Sequence, residues 1–263
     1  RSIVMHILVV GGGMGGTILA NNLARRLSGE LEQGSSKITM LSATDKHMYQ
    51  PGLLYVAVGK MSTTELYRDQ KSLLEPSIDF HVDPVEKFDM DNNSVTTKSG
   101  KKISYDILCI ATGSRGNAAG IPGLAENACQ FYTEADALAM YKKLQKFEGG
   151  KVVVATGVPH KCPMSPLEIT FFLVDYFKKR GIWDKVDLHY TYPIGRVHSL
   201  EPVAKWAAPE FDKLGITYET LFNMKEVLPG KVISEEDSSA EFDLLVTVPP
   251  HKGQQVIEDN ELG

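Results

Sequence analysis

Residues 5–16 read Met-His-Ile-Leu-Val-Val-Gly-Gly-Gly-Met-Gly-Gly. The apolar stretch predicts a buried strand, and the pattern that follows the glycines predicts a helix over residues 14–28. Gly11, Gly13 and Gly16 match the dinucleotide fingerprint. Its glycines permit a tight turn, close backbone approach to a pyrophosphate and close helix–strand packing, while the helix N-terminus offers free N–H groups. The segment therefore predicts a nucleotide-binding fold; a glycine-rich surface turn is the alternative.

Bulk composition describes a soluble globular protein with one large or two ordinary domains. The 263 residues are 43% apolar and 23% charged, with a formal net charge of −5. This charge gives no reason to expect nucleic-acid binding, and no apolar run is long enough to span a bilayer. Three cysteines suit reduced thiols or a redox role in the cytosol. We therefore expect a cytoplasmic protein and predict no metal site.

Strand-like and helical patterns alternate along the chain, which predicts parallel sheets covered by helices. The predicted strands are 7–10, 37–41, 107–110, 152–155, 186–192 and 242–248, and the helices are 14–28, 134–147, 166–180 and 202–214. Residues 80–106 instead indicate an antiparallel meander inserted into the first sheet. The resulting fold class is α/β with two Rossmann-like domains, residues 1–120 and 121–263. The glycine pair at 149–150 precedes the strand that opens the second sheet.

A second motif narrows the family. Residues 105–113 read Tyr-Asp-Ile-Leu-Cys-Ile-Ala-Thr-Gly. Together with residues 5–16, this segment resembles the pyridine nucleotide-disulfide oxidoreductase superfamily of two-domain flavoproteins. The resemblance implies FAD as the cofactor, with a small-residue turn beside it. The cofactor-binding residues it implies are Gly11, Gly13, Met14, Gly16, Ser42, Pro51, Ala111, Thr112 and Gly113.

Ser42 and Pro51 depart from, or extend, the usual pattern of this fold. The second strand of this fold usually ends in a carboxylate that bonds the ribose. Here Ser42 stands at that position and Asp45 follows three residues later, so either side chain is a candidate. Residues 49–59, which include Pro51, resemble the flavin-proximal segment of the sulfide:quinone oxidoreductase branch. A loop followed by the start of an apolar helix is the alternative interpretation of that segment.

The second half departs from the pattern of NADH-binding relatives. Residues 151–157 supply a strand and one glycine, but residues 158–168 contain three prolines, a lysine and a cysteine. Proline removes N–H donors and adds bulk where a pyrophosphate would need the backbone. We therefore predict that the second domain is Rossmann-like and binds no NAD.

Cys162 is the principal candidate for chemistry. It precedes a predicted helix, and the helix N-terminus together with Lys161, and with His160 if its ring is charged, favours the reactive thiolate. The spacing Cys-Pro-x-x-Pro-x-Glu resembles the redox-cysteine segment of sulfide:quinone oxidoreductases and flavocytochrome sulfide dehydrogenases. That resemblance implies that Cys162 exchanges electrons with the flavin and that Glu168 handles protons. A structural cysteine in a proline-rich turn is the alternative.

Two further residues join the predicted site through the same resemblance. The family commonly carries a first redox cysteine before the helix that here begins near Glu134; Tyr132 stands there, and Cys129 lies three residues earlier. If Cys129 cannot reach the flavin, the usual cysteine relay is incomplete. His198 resembles a histidine near the family's active site, although a surface or structural role is as consistent with its pattern. Cys109 lies inside an apolar strand and is interpreted as a small buried hydrophobe.

The resemblance implies an FAD-dependent oxidoreductase that oxidises sulfide or a related sulfur species and passes two electrons to a quinone. The alternatives are a flavoprotein subunit with a protein electron acceptor, an NADH:quinone dehydrogenase, and a non-catalytic flavin-binding module. Relatives continue beyond the position of Gly263 with the closing strand of the FAD domain, a further redox cysteine, the quinone pocket and membrane-docking helices. We therefore expect the first domain to lack its closing strand here, and any peripheral association with the inner face of the membrane to depend on that absent region.

Overall fold

The computed structural model of the chain describes residues 4–262. The strands are β1 (Met5–Val10), β2 (Ser36–Ser42), β3 (Lys46–Met48), β4 (Tyr67–Asp69), β5 (Ile78–Val82), β6 (Val85–Asp89), β7 (Ser94–Thr97), β8 (Lys102–Ser104), β9 (Ile107–Ile110), β10 (Ser114–Gly116), β11 (Ala128–Cys129), β12 (Gly150–Thr156), β13 (Val186–Tyr192), β14 (Thr217–Thr220), β15 (Met224–Leu228), β16 (Lys231–Ser234), β17 (Ser239–Glu241), β18 (Leu244–Val248) and β19 (His251–Gly253). The α-helices are α1 (Met14–Arg26), α2 (Ser28–Glu32), α3 (Gly52–Ala57), α4 (Leu124–Asn127), α5 (Glu134–Lys146), α6 (Ser165–Lys179), α7 (Glu201–Leu214) and α8 (Gln255–Asp259).

The first unit is built on a parallel sheet in the order β5-β2-β1-β9. Because successive side chains of a strand point to opposite faces of the sheet, β1 contributes residues to two hydrophobic cores. Ile7 and Val9 pack with Ala20 of α1 in one cluster. Leu8 and Val10 pack with residues of the β6-β7-β8 sheet in the other. A strand buried on both faces explains the continuous apolar run in the sequence.

An antiparallel sheet of β6, β7 and β8 completes this unit, as the sequence predicts. It begins later than expected, because residues 78–82 form β5 and pair in parallel with β2. Short strands β3 and β4 form an antiparallel pair that the sequence does not predict.

The second unit contains a five-stranded parallel sheet in the order β11-β18-β12-β13-β14. Val153 and Ala155 of β12 belong to a core cluster with Leu245 of β18, Phe222 and Val232. A second antiparallel sheet, β15-β16-β17, contributes to the same cluster. The predicted α/β fold class with two Rossmann-like units is confirmed.

Two segments pack differently from the predicted continuous domains. Of the described residues, the first unit comprises 4–49, 64–115 and 253–262, and the second comprises 50–63 and 116–252. Residues 50–63 join the second unit through contacts of α3 with α5 and an ion pair of 2.7 Å between Lys60 and Asp175. Residues 253–262 join the first unit, where Glu258 pairs with Arg115 at 2.7 Å.

Within residues 4–262, no helix has the length and apolar character needed to cross a membrane. The same part of the chain holds no group of three or more His, Cys, Asp or Glu side chains arranged to hold a metal ion.

Candidate cofactor and cysteine sites

The glycine loop connects β1 to α1 in the first unit. The Gly11 N–H donates to the Leu41 carbonyl at 2.8 Å, and the Ala111 N–H donates to the Val10 carbonyl at 2.7 Å. Gly11 has a φ of +118°, and a Cβ added there would overlap the Ala111 carbonyl oxygen. Only glycine satisfies both conditions, so the loop is held close to the end of β9.

The other glycines of the loop differ in their surroundings. A Cβ on Gly16 would overlap the Gly11 carbonyl oxygen, and one on Gly12 would lie 2.5 Å from Ser42 Oγ. A Cβ on Gly13 would meet nothing within 4 Å. Gly13 is also the N-cap of α1, where no side chain caps the helix and no acidic residue occupies the first turn. The open backbone and free N–H groups fit a dinucleotide pyrophosphate.

A buried glutamine supports this loop from behind. Gln70 is fully buried, and its Nε2 donates to Thr17 Oγ1 at 2.8 Å. Thr17 Oγ1 in turn donates to the Gly12 carbonyl at 3.3 Å. The His47 Nδ1–H is shared between Gln70 Oε1 at 2.9 Å and the Gly12 carbonyl at 3.2 Å. Through its hydrogen bonds to Thr17 and His47, Gln70 thus holds the Gly12 carbonyl of the glycine loop in place.

We expect Gln70→Leu to weaken both folding and FAD binding. It removes one hydrogen bond from Thr17 and one from His47, each of which keeps only its longer bond to the Gly12 carbonyl, and this loss costs about 1–3 kcal/mol in free energy of unfolding. Released from this support, the loop should bind FAD roughly tenfold more weakly, a loss of about 1.4 kcal/mol. Chemical denaturation and quenching of FAD fluorescence measure the two effects. Gln33→Leu, at an exposed position, is the matched control; an equal loss in that variant contradicts the assignment.

The end of β2 places the two ribose candidates differently. Ser42 is buried against Gly12, and its Oγ accepts a hydrogen bond from the Thr44 N–H at 3.3 Å. Asp45 presents an exposed carboxylate. A cavity of about 280 Å³ lies at the carboxyl ends of β2 and β5, lined by Leu41, His81, Val82, Asp83, Ser99, Lys101 and Ile103. Ser42 packs against the loop itself, whereas the Asp45 carboxylate is exposed and accepts a hydrogen bond from Thr44 Oγ1 at 3.4 Å.

The remaining predicted cofactor residues occupy three places. Ala111 and Thr112 follow β9 directly against the glycine loop, and Gly113 adopts a φ of +74°, which turns the chain away. Met14 begins α1 with an exposed side chain. Pro51 belongs to the second unit, where it is the N-cap residue of α3.

In the second unit, residues 157–164 form a long turn between β12 and α6. The Val158–Pro159 bond is cis, and Pro159 and Pro163 supply no N–H. A Cβ on Gly157 would lie 2.5 Å from Pro250, so this glycine is held against protein. The first unit, by contrast, leaves Gly13 open. The second turn thus lacks the features that make the first one fit a pyrophosphate.

Cys162 lies in this turn, partly buried, two residues before the N-cap of α6. Its carbonyl accepts a hydrogen bond from Ser165 Oγ at 3.1 Å. Ser165 Oγ also shares a short hydrogen bond with the Tyr132 hydroxyl. The Lys161 ammonium donates to Gln50 Oε1 at 3.0 Å and lies 5.4 Å from the centre of the Tyr132 ring. The turn is therefore fixed on both sides of the thiol.

Tyr132 interacts electrostatically with two of the predicted catalytic residues, Cys162 and Glu168. Burial raises the pKa of its hydroxyl, and the charges of Cys162 and Glu168 raise that pKa further. The phenol therefore keeps its proton at neutral pH. Glu168 lies exposed in the first turn of α6. The charges of Glu168 and Cys162 therefore act electrostatically on the same hydroxyl, that of Tyr132.

His198 is the third predicted residue near this turn. It is fully buried, and its Nδ1 accepts a hydrogen bond from the Leu200 N–H at 3.0 Å. Burial lowers the pKa of its imidazole, while the Pro163 carbonyl beside the ring opposes that shift. His198 is thus neutral at neutral pH and lies beside the backbone of Pro163, the residue that follows Cys162.

The other two cysteines have different surroundings. Cys129 is buried in β11, where burial raises the pKa of its thiol and Lys143 partly opposes that rise. Burial also raises the pKa of Cys109 in β9. All three cysteines are free thiols.

Sequence reasoning missed several residues around both sites. Gln70 and His47 reach the glycine loop from positions far along the chain, and no local pattern marks them. His251 and Tyr132 form an edge-to-face ring contact of 4.5 Å, and the His251 N–H donates to the Pro159 carbonyl at 2.6 Å. Residues 249–253 resemble the loop by which family members leave the second domain, and that resemblance was the available signal for His251.

Comparison with known proteins agrees with this geometry. Residues 5–157 match the family model described as pyridine nucleotide-disulphide oxidoreductase. The chain belongs to this family. Its members, including the sulfide:quinone oxidoreductases, are FAD-binding flavoproteins, so FAD is the cofactor that the glycine loop fits.

Three relatives illustrate the match. Mitochondrial sulfide:quinone oxidoreductase from Dictyostelium discoideum is 28% identical, covering 98% of this chain and 59% of that protein. Sulfide-quinone reductase from Aquifex aeolicus is 30% identical, covering 96% and 60%. An alternative NAD(P)H-ubiquinone oxidoreductase from Arabidopsis thaliana is 24% identical, covering 70% and 38%.

The crystal structure of the Aquifex aeolicus sulfide:quinone oxidoreductase superimposes with a TM-score of 0.85 at 27% identity, covering 99% of this chain and 61% of that one. The resemblance seen in the sequence is confirmed. The chain spans about three fifths of the length of the sulfide:quinone oxidoreductases it matches.

Proposed function

We propose that this protein oxidises sulfide or a related sulfur species at Cys162 and passes two electrons through FAD to a quinone. The observation that carries the proposal is the turn at residues 157–164. It places a partly accessible thiol where a nucleotide-binding domain would have an open glycine loop. The names of the sulfide:quinone relatives support the choice of substrate and acceptor.

The first unit would hold FAD through the backbone of its glycine loop. Gly13 leaves the approach open, and the N-terminus of α1 supplies N–H donors to the pyrophosphate. Asp45 is the available carboxylate for the ribose. When bound, FAD supplies the two-electron redox chemistry that side chains lack.

The second unit supplies the sulfur chemistry. The thiolate is the reactive form of a cysteine, and Lys161 directly precedes Cys162 in this turn. With Cys162 oxidised to a disulfide with a second thiol, attack of hydrosulfide on the Cys162 sulfur would break that S–S bond, form the Cys162 persulfide and release the second sulfur as a thiolate, whose electron pair FAD would accept when bound. Tyr132, which stays protonated, and Ser165 hold the turn in position, and Glu168 provides an exposed carboxylate for proton exchange with solvent.

An NADH:quinone dehydrogenase is the second candidate, favoured by the Arabidopsis relative. The turn at 157–164 speaks against it, because its prolines and the packing of Gly157 on Pro250 leave no open backbone for a second pyrophosphate. Two further alternatives are a flavoprotein that passes electrons to a protein acceptor and a non-catalytic flavin-binding module. Both would hold FAD in the same first unit, so that unit does not distinguish them from the proposed function.

An anaerobic titration of the purified protein, loaded with FAD, separates these functions. We expect sulfide to bleach the flavin absorbance and NADH to leave it unchanged. Oxidation of the reduced protein by a soluble quinone then tests the acceptor. Bleaching by NADH alone would overturn the proposal in favour of the dehydrogenase, and bleaching by neither reductant would favour the flavin module.

A further inference from the structure

The peptide bond that follows Cys162 has a single hydrogen-bonding group. Pro163 contributes no N–H to it, so only the Cys162 carbonyl can form a hydrogen bond there. This carbonyl accepts from Ser165 Oγ at 3.1 Å. Ser165 stands in the first turn of α6 and is 3% exposed, so its hydroxyl is shielded from bulk water. One buried hydroxyl therefore holds the peptide next to the thiol.

The two hydrogen bonds of the Ser165 hydroxyl run in one direction. A serine hydroxyl carries one proton and a carbonyl only accepts, so that proton lies in the bond to Cys162. The Tyr132 hydroxyl must therefore be the donor in its hydrogen bond with Ser165 Oγ. The chain leads from phenol to serine to carbonyl. Since neighbouring hydrogen bonds in such a chain polarise one another, the phenol strengthens the bond that Ser165 donates to Cys162.

Contacts of the Tyr132 ring hold the phenol in place independently of its oxygen. The ring meets His251 edge to face at 4.5 Å between centres and stacks on Phe131 at 5.1 Å. The Lys161 ammonium lies 5.4 Å from the ring centre. Burial raises the pKa of the hydroxyl, so the phenol retains the proton that it donates. A phenylalanine ring would keep these contacts and lose only the donor.

We propose that Tyr132 is a positioning residue for the Cys162 thiol and that it acts through Ser165 alone. Its hydroxyl orders the peptide beside the thiol, and this role needs no contact with the sulfur and no proton transfer to it. The inference rests on the proposed function for the reaction that Cys162 performs. The hydrogen-bond chain itself lies within the second unit and can be tested without that reaction.

A double-mutant cycle separates this role from simple packing. Tyr132→Phe removes the donor and keeps the ring, whereas Ser165→Ala removes both hydrogen bonds of the chain. If Tyr132 acts through Ser165, Tyr132→Phe has an effect in the wild type and none in the Ser165→Ala background. Two independent packing effects would instead add.

The first test is carbon-13 NMR of the FAD-loaded protein, with cysteine labelled at its carbonyl carbon and proline labelled at its nitrogen. Cys162 is the only cysteine followed by proline, so coupling to nitrogen-15 identifies its signal. Because a hydrogen bond deshields a carbonyl carbon, we expect an upfield shift in Tyr132→Phe and a larger one in Ser165→Ala. The double variant should match Ser165→Ala. An unchanged Cys162 signal in either single variant overturns the proposal.

The second test is the rate at which iodoacetamide alkylates Cys162, followed by peptide mass spectrometry. The thiol is partly buried, so a loosened peptide should open it to solvent. We expect alkylation to accelerate at least about threefold in Tyr132→Phe, at least as much in Ser165→Ala, and no further in the double variant. Buried Cys129, measured in the same digest, should keep its wild-type rate. Wild-type alkylation of Cys162 in Tyr132→Phe, additive effects, or an equal acceleration at Cys129 refutes the assignment.

Tyr176→Phe is the matched control for both tests. Its ring packs on Tyr141 and Phe177, farther along α6. We expect this variant to keep the wild-type carbonyl signal and alkylation rate of Cys162. Changes as large as those in Tyr132→Phe would contradict a specific role of the Tyr132 hydroxyl.

Neither readout needs turnover, and the reaction supplies a third. When sulfide is mixed rapidly with the FAD-loaded protein, we expect Tyr132→Phe to lower the limiting rate of flavin reduction about tenfold, because positioning affects the chemical step. The sulfide concentration that gives half the limiting rate should not change. An unchanged limiting rate overturns the proposal while the proposed function stands. If sulfide fails to reduce the wild-type flavin and the first two tests give the expected results, the proposed function is wrong and Tyr132 still positions the thiol.

Discussion

Cys162→Ser is expected to slow reduction of the bound flavin by sulfide by on the order of 10³-fold or more. A serine hydroxyl ionises far less readily than a thiol and cannot form a persulfide, so the sulfur step is lost. The fold should persist, because serine is close in size and the position is partly exposed. Rapid-mixing absorbance of the flavin under anaerobic conditions measures the rate.

The control for this variant is Cys109→Ala. Cys109 lies in β9, where burial raises the pKa of its thiol, and alanine keeps a small apolar side chain there. We expect this variant to be reduced by sulfide at close to the wild-type rate. Comparable losses in the two variants would indicate general damage, and a Cys162→Ser protein reduced at the wild-type rate would remove Cys162 from the reaction.

Local patterns in the sequence were sufficient for the framework of both units. The continuous apolar run of β1 reflects burial on both sheet faces, and the predicted helix at 134–147 begins where Thr133 Oγ1 accepts the Asp136 N–H at 3.1 Å. The glycine loop was predictable because its glycines stand together between an apolar strand and a helix, although the contact that excludes a side chain at Gly11 comes from the distant Ala111. The position of Cys162 at a helix N-terminus was predictable because α6 follows it directly in the sequence.

Contacts between distant positions were not predictable in the same way. Gln70 bonds Thr17 across 53 positions, and an exposed or buried glutamine has the same local signature. Which ring nitrogen of His198 and of His251 carries the proton depends on the backbone group that each Nδ1 contacts. The local sequence does not reveal that contact. Packing of residues 50–63 on α5 likewise depends on tertiary contacts, such as Gly59 against Tyr141, that only the folded chain reveals.

Gly13→Ala is expected to abolish tight FAD binding while leaving the apoprotein as stable as the wild type. The added methyl group meets no protein atom within 4 Å, and the φ of −76° at this N-cap suits alanine. The methyl group would instead occupy the space through which a pyrophosphate approaches the backbone. We expect the Kd for FAD to rise about 100-fold, a loss of about 2.7 kcal/mol, measured by fluorescence titration.

Two neighbouring glycines make this prediction specific. Gly16→Ala forces a methyl group onto the Gly11 carbonyl, so it should lose FAD together with about 1–3 kcal/mol of unfolding free energy. Gly15→Ala meets nothing within 4 Å inside α1, so it should retain FAD and gain up to about 1 kcal/mol in stability. Chemical denaturation of the three apoproteins distinguishes a blocked approach from a displaced helix. A Gly13→Ala protein that binds FAD normally would place the pyrophosphate elsewhere, because the open side of Gly13 is where this loop offers both space and N–H donors.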